Sequence, residues 1–271
     1  MEVYNITFNH GGRGMFSIVN DLIAHFYESD KNGYKINPKW RRSPYKTCKS
    51  EEDAFSYFFE PFVDISSDDS PAGELKSFAY KRGNLITPRS NGLALPKKRK
   101  EVNEIIEKYI KLTPSLSAKI SKFKEKYFSE NILGLHIRGK GRKDGGAEKL
   151  REMGELIDGV PYNLYFKKVD EYISTHPKCN IFLCSDSQIV IDYCKGVYKE
   201  RIITYDSTRS MGGETHRDPT YKNQKRKLGD DVIVEAYLMS NTNYLIHGSS
   251  NVTNFVLCKN SQLKNYYVYQ K

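Results

Sequence analysis

The chain has 271 residues, 38% of them hydrophobic and 28% charged, enough to bury a sizeable core as one large or two small domains. No run approaches the ~18 uninterrupted apolar residues of a membrane-spanning helix. The opening Met1-Glu-Val-Tyr-Asn-Ile-Thr-Phe8 lacks the basic flank and apolar core of a signal peptide, so a first strand and a cytoplasmic location are expected. The net charge of +10 suits a negative partner (a nucleoside diphosphate, an anionic membrane or lipid-linked molecule, nucleic acid), or simply keeps the chain soluble.

Five cysteines, Cys48, Cys179, Cys184, Cys194 and Cys258, form no CxxC pair. An odd count without a signal peptide argues for reduced thiols, and for the same reason the N-x-Thr sequons at Asn5 and Asn251 read as chance matches.

In chain order, Tyr4, Ile6 and Phe8 alternate as a half-buried strand. His10-Gly-Gly-Arg13-Gly14 follows, and then Phe16, Val19, Ile23 and Phe26 recur on one helical face. Strand, glycine loop and helix open an α/β domain. The pattern then weakens from 28 to 100, where many aromatics sit among turn residues. A helix is expected over 51–59, and a loop over 66–71. The basic run Lys97-Lys-Arg-Lys100 is expected at a solvated helix start, with contact to a membrane or acceptor as the alternative. Val102, Ile105, Ile106, Tyr109 and Ile110 mark one helix. Thr113-Pro114 opens a second, since Thr can cap the helix and Pro is favoured at its first position; Leu116, Ile120, Phe123 and Tyr127 form its stripe. These two helices are expected to bridge an N-terminal domain, 1–128, and a C-terminal one, 129–271.

The second half alternates regularly. Strands are expected at 132–137, 181–184, 201–205 and 243–246. Between them come helices carrying Tyr165, Val169, Tyr172 and Ile173, then Val190, Tyr193, Cys194 and Val197, then a helix over 229–241, with a last one beginning near 250. Such alternation implies a parallel sheet covered on both faces, with ligands at the carboxyl ends of the strands.

The polar signatures fall at those ends. Arg138 closes an apolar strand, and a guanidinium there can grip a phosphate bidentately. Lys140, Arg142 and Lys143 add charge, though an exposed basic turn would look the same. His136 alternates with Arg138 and faces the same side. Gly134 to Lys140 is nearly a Walker A match, but Gly141 stands where Ser or Thr is required. Asp186 either caps the following helix or meets the ligand or the basic loop. Glu235 is the one charge in Val232-Ile-Val-Glu-Ala-Tyr-Leu-Met239. A carboxylate in so apolar a helix needs a cation or a donor-rich ligand such as a nucleobase, a structural salt bridge being the alternative. His247-Gly-Ser249-Ser250-Asn251 leads into a helix and offers either an anion site or a plain N-cap. No HExxH motif, metal-ligand cluster, G-x-S-x-G elbow or nucleic-acid signature is present.

Three blocks resemble the GT-B-type fucosyltransferase superfamily, which includes the α1,6-fucosyltransferases, NodZ and the protein O-fucosyltransferases. They are Gly134-Leu-His136-Ile-Arg138, Phe182-Leu-Cys-Ser-Asp186, and Glu235-Ala-Tyr-Leu-Met-Ser240 continued by Tyr244-Leu-Ile-His-Gly-Ser249-Ser250-Asn251. Gly11-Gly-Arg-Gly14 is similar to the family's first glycine loop. The resemblance covers 130–258, and the first half only at that loop. It implies a GT-B-like fold, with two Rossmann-like domains facing a central cleft. The implied enzyme is an inverting glycosyltransferase using a GDP-sugar co-substrate, a glycan acceptor, and no metal or other cofactor. On it, Arg138 would bind the β-phosphate and help GDP leave. His136 and Glu235 would address guanine, Ser249 and Ser250 the phosphates, and Asp186 the base, ribose or basic loop. Gly12, Arg13, Gly14 and Arg142 would complete the donor site. The loop after Arg138 departs from the family pattern. Asp144 and Glu148 are the candidates for the base carboxylate there. Arg13 stands where the family has a small or apolar residue.

Overall fold

The structure, a computed structural model, describes residues 2–9, 12–46, 53–62, 72–75, 96–139, 162–210, 215 and 219–268. Two parallel sheets organise it. In the first, β1 (Val3–Phe8) lies between β2 (Lys35–Trp40) and β3 (Gly73–Leu75), with Val3 opposite Lys35 and Tyr4 opposite Gly73. The second has the order β6-β5-β4-β7-β8, from β4 (Ile132–His136), β5 (Asn180–Cys184), β6 (Ile202–Ile203), β7 (Tyr244–His247) and β8 (Lys264–Tyr267). That is a doubly wound order, and its switch point lies between β4 and β7, where His136 pairs in register with His247.

Helix α1 (Met15–Asn32) follows the glycine loop, and all four apolar positions expected on its face are buried. It ends at Gly33, whose φ of 72° is the left-handed conformation that lets its N–H return to the Ser29 carbonyl. Helices α2 (Arg99–Tyr109) and α3 (Pro114–Tyr127) follow, with Pro114 in the first turn as expected and the basic run 97–100 at the start of α2. Thr113 holds the N-cap position of α3, but its side chain accepts no capping hydrogen bond. The remaining helices are α4 (Tyr162–Thr175), α5 (Gln188–Tyr198), α6 (Lys225–Ser240) and α7 (Asn251–Lys259).

Several sequence expectations change. The helix over 51–59 is, in its described part, a single 3-10 turn at Ala54–Tyr57, with the Asp53 carboxylate accepting from Phe55 N. The strand expected over 201–205 shortens to Ile202–Ile203, and the helix expected over 229–241 begins four residues earlier, at Lys225. β2 and β8 fall outside the expected strands. β2 contains Pro38, which it tolerates as an edge strand of the described sheet, where a missing N–H costs no ladder bond. Tyr193 and Val197, expected inside, are 52% and 48% exposed, because only Val190, Ile191, Cys194 and Tyr198 of α5 turn inward. Tyr127 at the end of α3 is likewise exposed. Cys179, Cys184, Cys194 and Cys258 are free and buried. Cys48 lies outside the described residues.

The larger buried cluster runs through both halves, joining Ile6, Phe8 and α1 to Phe182, Leu245 and α7. Phe16 meets Phe255 with ring centroids 4.6 Å apart, and the Asn20 side chain donates to the Asn251 carbonyl at 2.9 Å. A second cluster fills the other face of the five-stranded sheet beneath α4 and α5. Among the described residues, no helix is long and apolar enough to cross a membrane.

Candidate functional site

A cleft of about 320 Å³ opens at the carboxyl ends of β4, β5 and β7 and is closed on the other side by the start of α1. Its lining includes Arg13, Gly14, Tyr45, His136, Arg138, Asp186, Asp231, Glu235 and Ser250. Gly12 and Ser249 are exposed and stand outside it. Arg142, Asp144 and Glu148 lie outside the described residues.

The strand end that carries Arg138 is fixed by the next strand. Gly139 N donates to Asp186 Oδ1 at 2.7 Å, and Ile137 N to the Cys184 carbonyl at 3.1 Å. Gly139 is obligatory here, since a Cβ on it would lie 2.1 Å from Ser187 Cβ. Asp186 therefore organises the start of the basic loop. It does not occupy the cap of α5, whose N-cap residue is Ser187. His136 is buried beside Arg138, and its Nδ1 has no hydrogen-bond partner. Burial, with His247 and Arg138 close by, pushes its pKa down to about 3, so at neutral pH the ring is uncharged and can donate or accept through one nitrogen each.

Glu235 meets a cation, as its surroundings require. Its Oε1 lies 3.0 Å from Arg209 Nη2, and both side chains are nearly buried. Arg209 also donates to the carbonyls of Ser207 and Tyr205, each at 2.8 Å. Burial raises the Glu235 carboxyl to about 7, against the opposing pull of Arg209. The same loop is clamped to the turn after β5, because Ser210 N donates to the Asp186 carbonyl at 2.9 Å and Gln188 N to the Ser210 carbonyl at 3.0 Å. Glu235 is thus tied by a hydrogen bond to Arg209, whose chain neighbour Ser210 is tied in turn to Asp186, and Asp186 to Gly139.

Two helix N-termini face the cleft. At α7, Ser250 Oγ accepts from Thr253 N at 3.1 Å, so Ser250 is an N-cap. At α1, Tyr45 OH accepts from Met15 N at 2.9 Å. Neither helix has an acidic residue in its first turn, so their dipoles leave positive potential in the cleft. Arg13 folds back along α1 and pairs with Asp21, whose side chain is fully buried, at 2.5 Å.

Arg209, Asp231, Asp21 and Tyr45 escape sequence reasoning. Asp231 accepts from Lys227 Nζ at 2.7 Å and from Thr208 N at 2.8 Å; its position four residues before Glu235 on one helix is the signal that would find it. Arg209 lies in an aperiodic polar loop and Tyr45 among turn residues, where no spacing points inward. Among the described residues, no group of three or more His, Cys, Asp or Glu is placed to hold a metal ion.

The arrangement can hold an anion between Arg138 and two helix ends, with a neutral imidazole and a paired carboxylate farther along. No model of a known protein family matches the chain, and no curated protein does. Solved structures do. The NodZ α-1,6-fucosyltransferase soaked with GDP-fucose is 17% identical, with a TM-score of 0.59 over 95% of this chain and 92% of that one. Fucosyltransferase NodZ from Bradyrhizobium is 18% identical, with a TM-score of 0.58 over 94% and 92%. POFUT1 in complex with GDP-fucose is 10% identical, with a TM-score of 0.55 over 99% and 98%. The α/β fold of this chain, with its parallel sheets, is therefore similar to that of the GT-B-type fucosyltransferases over almost its whole length.

Proposed function

We propose that this chain is an inverting, metal-independent glycosyltransferase that moves L-fucose from GDP-fucose to a glycan hydroxyl, in the assembly of a surface polysaccharide in the cytoplasm. The observation that carries this reading is the gathering of Arg138, His136, Glu235 and the α7 N-terminus around one cleft at the sheet's switch point. The fold around that cleft is similar to that of NodZ soaked with GDP-fucose and of POFUT1 in complex with GDP-fucose.

In the proposed reaction the acceptor oxygen attacks the anomeric carbon as the bond from that carbon to the β-phosphate oxygen breaks. A carboxylate takes the hydroxyl proton, and the electron pair leaves on GDP. Asp144 and Glu148 remain the candidates for that base. Arg138 and the α7 N-terminus stabilise the charge gathering on the diphosphate. His136 and Glu235 address the base, with Glu235 using the oxygen that Arg209 does not hold. Asp186 supports Arg138 through Gly139.

The first test is a thermal shift with GDP, UDP and CMP, where stabilisation by GDP alone supports the donor class. Transfer from GDP-fucose to oligosaccharide acceptors in the presence of EDTA, with the product anomer read by NMR, tests the reaction. Turnover of another GDP- or UDP-sugar with none of GDP-fucose would change the donor. Tight GDP binding without transfer to any acceptor would make the chain a nucleotide-binding protein.

A further inference from the structure

Arg13 is one of five residues in the described N-terminal turn and first helix that line the cleft, and its side chain is held there by four hydrogen bonds. A guanidinium has five N–H donors. Nε donates to Ser17 Oγ at 2.9 Å, Nη2 to Ser17 O at 2.7 Å and Ser17 Oγ at 2.6 Å, and Nη1 to Asp21 Oδ2 at 2.5 Å. These bonds occupy four donors and leave one N–H on Nη1. The Arg13 side chain is 18% exposed and that of Asp21 is fully buried, so the pair is anchored from the protein side and open toward the cleft.

The pairing changes what Arg13 can recognise. Its charge is cancelled at contact distance by Asp21, so it adds little net field for a diphosphate, which Arg138 and the two helix ends already serve. A charge-paired arginine with one directed N–H instead suits a neutral oxygen. We infer that Arg13, positioned by Asp21 and Ser17, is the residue with which the first half of the chain reads a hydroxyl or ring oxygen of the transferred sugar. This rests on the nucleotide-sugar reading above and deepens it. It also separates two roles within the cleft: Arg138 for the phosphate, Arg13 for the sugar.

The experiment is calorimetry with GDP, GDP-fucose and GDP-mannose on the wild type, Arg13→Lys, and the double variant Arg13→Gln with Asp21→Asn. The lysine keeps an ion pair with Asp21 but loses the fixed fork. The double variant removes both charges together, so neither is left buried alone, and circular dichroism verifies its fold. Both variants should bind GDP within about twofold of the wild type and lose about tenfold in affinity for a sugar nucleotide, the scale of one hydrogen bond to a charged group. A selective loss for GDP-fucose or for GDP-mannose supports the inference. Equal losses for GDP and the sugar nucleotides would make Arg13 a phosphate contact and overturn it, as would an unchanged ratio. A wild type that binds none of the three would overturn the nucleotide-sugar reading itself.

Discussion

The two walls of the cleft are built in different ways. The wall from the five-stranded sheet consists of strand ends, the loop after β6 and helix α6 laced to one another, Gly139 to Asp186, Asp186 to Ser210, and Arg209 to Glu235. The wall from the first half is one glycine turn and the start of α1, steadied by the Arg13–Asp21 pair and the Tyr45 hydroxyl. On the wall from the first half, Arg13 is held by its own helix, whereas the side chains of the sheet wall are held by neighbours far away in sequence. Damage should therefore spread across the sheet wall and stay local on the wall from the first half.

The hardest blow to that contrast is Arg138→Ala, which removes the proposed phosphate grip and leaves the backbone bond from Gly139 to Asp186 in place. It should lower turnover by about 10²–10³-fold, read as kcat on GDP-fucose, with GDP affinity falling in calorimetry. Gly139→Ala tests the lacing itself. Its Cβ would lie 2.1 Å from Ser187 Cβ, so the turn must shift, and a displacement of the neighbouring Arg138 by ~1 Å costs about 10²-fold in turnover. Adding Ser187→Gly removes the opposing atom and should restore much of that loss. A Gly139→Ala protein with normal kinetics would show that the strand ends are not laced as described.

Glu235→Gln sharpens the comparison through pH. The folded carboxyl titrates at about 7, above its ordinary value of 4.5. A raised carboxyl binds its proton more tightly in the folded state. Its contribution to stability is full below about pH 4.5 and is lost as pH rises through about 7, an effect on the order of 3 kcal/mol. His136, depressed to about 3, has the opposite sign: its contribution is present above its ordinary value of about 6.5 and is lost as pH falls toward 3. The difference between wild type and Glu235→Gln in urea titrations at pH 5 and pH 8 isolates the carboxyl's contribution, and a pH-independent difference would refute it. The smallest effect belongs to the wall from the first half. Tyr45→Phe leaves Met15 N without its partner and should cost about 1 kcal/mol in the same titration.

The same contrast decides what the sequence reveals. In the second half, strands β4, β5 and β7 are short apolar runs whose polar ends come immediately after them, so Arg138, Asp186 and Ser250 are legible as strand-end residues. Glu235 is legible because a lone carboxylate in an apolar helix needs a partner. That partner is not legible: Arg209 lies 26 residues away in a loop without periodicity. In the first half, β2 carries a proline and hides its alternation among Ile36, Pro38 and Trp40. The 3-10 turn at Ala54–Tyr57 is too short to show a helical period. Asp21 looks like any polar residue on a helix until Arg13 is seen folded against it.

The Phe16–Phe255 contact, with Asn20 bound to the Asn251 carbonyl and Asn103 to that of Lys259, bears on how a bulky molecule gets in and out. Swinging the halves apart would wet two large aromatic rings, at about 1.5–3 kcal/mol each, and strand two side-chain amides. Opening the cleft by a hinge is therefore costly, and a cross-link between α1 and α7 should leave turnover nearly unchanged.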